Sequence, residues 1–148
     1  MTDVVFHYGV ADKSDYAIRL LRKAVRSGFR VRVALAPVEL ATFSARLWAA
    51  APTGFMAHCD AQAPASTQRR SPVVLGTSDT GGDAQEAVLL NLSHDMPQDP
   101  QRYQKILEVI TTDPQDRQLG RTRKRAYDSA QCPVVMHDAG SVQAAGAV

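Results

Sequence analysis

The stretch EAVLLNLS, residues 86–93, is a nearly continuous apolar run, without the alternation of a half-exposed strand. A strand inside a parallel sheet needs such a run, because helices cover both of its faces. The rest of the chain must therefore supply covering helices and partner strands, and it offers them in order. DVVFHY (3–8), β-branched and aromatic, ends at Gly9 and reads as a strand. SDYAIRLLRKAVRSG (14–28) carries Ile18, Leu21 and Val25 at helical spacing, with Ser14 placed to cap the helix and Gly28 to close it. FRVRVAL (29–35) alternates: Phe29, Val31, Val33 and Leu35 face one way, Arg30 and Arg32 the other. That predicts both arginines near the exposed start of a strand. Pro37 opens a second helix, to about Ala50. FMAHC (55–59) and PVVLG (72–76) read as short strands and QKILEVIT (104–111) as a longer one. Pro114 then starts a last helix, to about Ala130. This order predicts an α/β fold with three layers: a mostly parallel sheet flanked by helices, Rossmann-like in topology. At 148 residues the chain fits one domain, 1–137, followed by a small-residue, disordered tail, 138–148.

Several chemistries lack their signatures. The first strand–helix junction, HYGVADKSD, has one glycine where a dinucleotide cradle needs three. GTSDTGGD (76–83) is reminiscent of a phosphate loop, but no Lys-Ser/Thr follows, and a flexible turn accounts for it. His58, Cys59 and Asp60 adjoin, and three other histidines are scattered, without the paired short spacing of a zinc site. His58 thus reads as structural. There is no G-x-S-x-G elbow and no carboxylate couple. No catalytic residue, metal or cofactor is expected. Cys59 and Cys132 make no disulfide framework, and no apolar run is long enough for a membrane span, so a cytoplasmic protein is expected.

The unusual feature is RQLGRTRKRAY, residues 117–127, with five cations and no acid in a chain of net charge +2. At about 100° per residue, Arg117, Arg121, Lys124 and Arg125 share one arc, while Leu119, Ala126, Tyr127 and Ala130 gather opposite. Arg123 falls inside the apolar arc, where its guanidinium must snorkel or pair with a carboxylate. The cationic arc reads as lacking neutralising acids at i+4, and Asp113 and Asp116 already serve the helix dipole. Arginine also suits carboxylate and phosphate recognition. Two readings stay open, an anion-binding patch and an ordinary solvated face. A second stripe, Arg19, Arg22, Lys23 and Arg26, has no apolar rim and reads as solvated surface.

LWAAAPTGFMAH (47–58), then ILEVIT, a short acidic turn and RQLGRTRKRAY, in that order, resemble the chi subunit of bacterial DNA polymerase III. The VVFHY opening and the SGFRVRVAL joint extend the resemblance from about Val4 to about Cys132. It implies an adaptor without catalysis or a nucleotide site, linking the clamp-loader complex to single-stranded DNA-binding protein by gripping that protein's acidic C-terminal tail, which ends in Pro-Phe. By motif matching, Arg117, Arg121 and Arg125 take the tail-binding basic positions. Lys124 adds a cation where the family often has an aromatic residue, and Val109 and Ile110 are candidate apolar lining. Trp48 and Phe55 match aromatic positions on the side associated with the psi subunit, although either would also serve as core. Nucleic acid is then an indirect partner. The competing readings are direct nucleic-acid binding through the basic helices, for which stacking aromatics are sparse, and a nucleotide-binding enzyme, suggested by layer order alone.

Overall fold

The computed structural model describes residues 2–49, 58–60, 73–76 and 87–139. Seven strands form one sheet: β1 (Asp3–Val10), β2 (Val31–Ala34), β3 (His58–Asp60), β4 (Val73–Gly76), β5 (Val88–Asn91), β6 (Lys105–Thr111) and β7 (Val134–Asp138). Their spatial order is β3-β4-β2-β5-β6-β1-β7, and every neighbouring pair is parallel. Helices α1 (Lys13–Arg26) and α2 (Leu40–Ala49) share one core cluster on one face. Helix α3 (Pro114–Ser129) packs on the other, completing three layers. The expected architecture is therefore present. No helix among the described residues is long and apolar enough to cross a membrane.

Period-two alternation assigns each strand's residues to the two layers. In β6, Leu107 and Val109 join the α1 side, while Ile106 and Ile110 join the α3 side with Tyr127. In β1, Val4 and Phe6 lie on the α3 side, but Val10 lies on the α1 side, although all three positions are even. Gly9 explains the switch: its φ of 71° and a register shift between His7 and Val10 mark a bulge that turns the strand by one residue. Below α3, a Cβ built on Gly120 would lie 2.7 Å from Ile110 Cδ1, so the missing side chain is what lets the helix approach β6. Gly120→Val should therefore lower stability by about 1–3 kcal/mol through overpacking, read as a reduced urea midpoint at unchanged m-value.

Several local expectations need correction. Asp12, not Ser14, caps α1, its carboxylate accepting from the Asp15 amide, because the helix begins one residue before Ser14; Gly28 closes it as expected, at φ 87°. Pro37 opens a 3-10 turn (Pro37–Glu39) that leads into α2. Arg32 is not at an exposed strand start: β2 is central, between β4 and β5, and Arg32 is fully buried on the α3 side. β7 had no sequence assignment. It takes in Asp138, and Ala139 after it is buried in the α1-side core, so these two residues belong to the fold rather than to a tail; 140–148 lie outside the described residues. Phe55 and the glycine-rich residues 77–83 lie outside them too.

Candidate functional site

α3 earns its position from both ends. Asp113 caps it, accepting from the Gln115 amide at 3.1 Å, and Pro114 occupies the first turn, where its missing N–H costs nothing. Asp116 is turned inward rather than left to the helix dipole. Its Oδ2 accepts from the Thr111 amide at 2.7 Å and the Thr111 hydroxyl at 3.0 Å, tying the first turn of α3 to the end of β6. Burial pushes the Asp116 carboxyl up, but the Thr111 amide, the Lys13 ammonium at 3.7 Å, the Thr111 hydroxyl and Arg123 outweigh it and leave it below the usual range.

The middle of α3 is held by a buried polar cluster. Arg123 is 2% exposed and donates from Nε to Glu108 Oε1 at 3.1 Å, while its Nη1 donates to the His94 carbonyl at 3.2 Å. Glu108 Oε2 accepts from the Tyr127 hydroxyl at 2.7 Å and from Asn91 Nδ2 at 2.9 Å. All three groups that reach the carboxylate donate, the pattern an ionised acid requires. Burial pushes the Glu108 carboxyl up, with Arg123 first and then Tyr127 and Asn91 pulling against it. Burial, and then Glu108 itself, hold the Tyr127 hydroxyl well above its ordinary value. The anomalous arginine of the helical wheel is thus a structural pin, as its position demanded. Asn91 extends the pin outward, donating to the Asp95 carbonyl and accepting from the Ser93 amide and hydroxyl, which shapes the turn after β5.

With Arg123 committed inward, the other four cations form the outer surface. Arg117, Arg121 and Arg125 are exposed, and their side chains make no hydrogen bond or ion pair among the described residues. Lys124 differs: its Nζ lies 3.3 Å from Asp128 Oδ2, an i,i+4 pair that corrects the expectation of an unneutralised arc. Lys124 is a partly shared cation, and the three arginines are the open ones.

α3 carries the chain from β6 over β1 to β7. In the right-handed sense that parallel crossovers take, the arc of Arg117, Arg121 and Lys124 turns outward and toward β7, and Leu119 and Ala126 turn toward the segment after β5. On the same face of the sheet two apolar side chains are exposed. Tyr8 shares the side of Val4 and Phe6, and Met136 is the register partner of Phe6; they are 38% and 49% exposed. Tyr8 and Met136 thus form an exposed apolar shelf on β1 and β7, on the face that carries α3. Val109 and Ile110 are not that shelf. Val109 is buried on the opposite, α1 side, and Ile110 is buried beneath Gly120. Sequence reading missed Met136 because β7 had not been recognised as a strand, and Tyr8 because the end of a strand does not by itself show which face stays open. Trp48 is 50% exposed on α2 and makes one of the larger exposed apolar surfaces. Among the described residues no cluster of three metal-ligating side chains occurs.

On the α1 side His7 accepts or donates one hydrogen bond, with Tyr16 Oη at 2.7 Å from Nδ1. Burial, then His137, Lys105 and Lys23, lower its pKa to about 4. The folded protein thus disfavours protonation that the unfolded chain accepts near pH 6.5. Stability from this group is full above that value and is lost as pH falls toward 4. Wild-type Tm should fall more steeply than that of His7→Gln between pH 6.5 and 4, as thermal melts at stepped pH would show.

Residues 1–135 match the family model described as DNA polymerase III chi subunit, HolC. The chain is also similar to the DNA polymerase III subunit chi of Pseudomonas aeruginosa, 28% identical over 122 residues that cover 82% of each chain.

Proposed function

The chain belongs to the DNA polymerase III chi subunit family, and from that premise we propose that it is a non-catalytic replisome adaptor whose α3 face holds the acidic C-terminal tail of single-stranded DNA-binding protein. The observation that carries the reading is the row Arg117, Arg121 and Arg125, exposed and without partners among the described residues, on the face of the sheet where the apolar Tyr8 and Met136 are also exposed. A flexible acidic tail is drawn in by the cations, and its terminal carboxylate takes charge-assisted bonds from a guanidinium. The aromatic side chain next to that carboxylate then covers the shelf, with Lys124 at its rim. This replaces Val109 and Ile110 as lining residues. Ordering a disordered tail opposes binding, so affinity near micromolar, about −8 kcal/mol, is expected.

On α2, the half-exposed Trp48 supports a second contact, to a psi subunit that would tie the adaptor to the clamp loader. Pull-down with single-stranded DNA-binding protein, intact and lacking its last residues, tests the main reading. Retention of the intact protein alone supports it. Equal retention of both, or tight capture of naked oligonucleotide instead, refutes it in favour of direct nucleic-acid binding.

A further inference from the structure

Among the described residues, α1 does not reach over the β7 edge of the sheet. α1 packs over β6 and β2, leaving Val5 of β1 only half-buried and its register partner Val135 of β7 58% exposed. Where the helix ends, a cavity of about 190 Å³ opens between α1 and the strands. Val5, Leu20, Val88, Leu107 and the exposed Phe29 give it apolar walls. Buried His7 lies at its inner end. Lys23 of α1 and Lys105 of β6, both exposed, stand at its mouth. Neither lysine forms an ion pair among the described residues, and Asp3, the register partner of Lys105, makes none with it. Their positive field reaches His7, which it helps keep neutral.

We propose that this cavity is a second docking site, on the face opposite α3, for an acidic peptide segment that inserts one bulky apolar side chain between α1 and β1. Two observations select that occupant. The paired lysines favour carboxylates outside the cavity, and the apolar floor favours a hydrophobic group within it. The floor also continues through Val5 to exposed Val135, so a chain can run on across the sheet's edge, as a small enclosed ligand would not. The site owes nothing to the tail-binding reading of α3, and either can fail alone.

The test is an amide NMR titration of the ¹⁵N-labelled full chain with acetyl-Glu-Asp-Leu-Phe-Glu-Asp-amide, whose blocked end removes the free carboxylate that the α3 site needs. Saturable shifts are expected at Val5, Leu20, Ala24 and Leu107. Lys23→Gln combined with Lys105→Gln should weaken binding about fivefold without lowering Tm, and Arg26→Ala should leave it unchanged. A peptide with lysines in place of its acids should not bind. Shifts confined to α3, no saturable shifts, or equal binding of the basic peptide overturn the proposal. So does concentration-dependent dimerisation that Val135→Lys abolishes, which would assign the face to a second copy.

Discussion

Glu108→Ala is expected to cost the protein about 3–5 kcal/mol of folding stability, because it leaves the Arg123 guanidinium buried without its counter-charge. Arg123 and Glu108 are at most 2% exposed, so water cannot take over the lost contact. The same substitution strands the Tyr127 hydroxyl and one Asn91 amide hydrogen bond. The cost is then mostly that of orphaned polar groups, not the net worth of the pair. Glu108→Leu with Arg123→Met should consequently recover the part due to the stranded guanidinium, since removing both charges together is often neutral, while the Tyr127 hydroxyl and the Asn91 amide stay without Glu108. Urea unfolding of the two single variants and the double variant completes the cycle. Additive losses would show that the pair is not coupled as described.

The second large effect lies on the surface. Changing Arg117, Arg121 and Arg125 together to glutamate should reduce affinity for an acidic peptide ending in Pro-Phe by about 100-fold or more. One charge-assisted hydrogen bond contributes roughly 1.5–3 kcal/mol, and two reversed rim charges convert attraction into repulsion. Stability should barely move, because none of the three side chains has a partner to lose among the described residues. Calorimetry at two salt concentrations would read the first effect and its screening, and a thermal melt the second.

Helical periodicity made much of α3 legible in advance. Counting 100° per residue separated Arg123 from its four neighbours and left it either to snorkel or to pair with a carboxylate. It did not point to Glu108, because that partner sits on another element, 15 positions away. Arg32 failed for a related reason. Its alternation with Val31 and Val33 was read correctly, but whether the far side of a strand is wet depends on its place in the sheet, which no local pattern records. β7 escaped because an edge strand is half-wet: Val135, Met136 and Asp138 are all exposed, and a run so lightly buried resembles a tail. Met136 was lost with it. Asp128, four residues after Lys124, was legible and was overlooked.

The central claim is that α3 arginines hold the free end of another chain, and one calorimetric comparison tests it most directly. An acidic peptide ending in Pro-Phe is titrated as the free acid and as the C-terminal amide into wild-type protein, Arg121→Ala and Arg26→Ala. The account predicts micromolar binding of the free acid, a loss of about tenfold or more on amidation or in Arg121→Ala, and little change in Arg26→Ala. Equal affinities for acid and amide, with Arg121→Ala no weaker than Arg26→Ala, would contradict it.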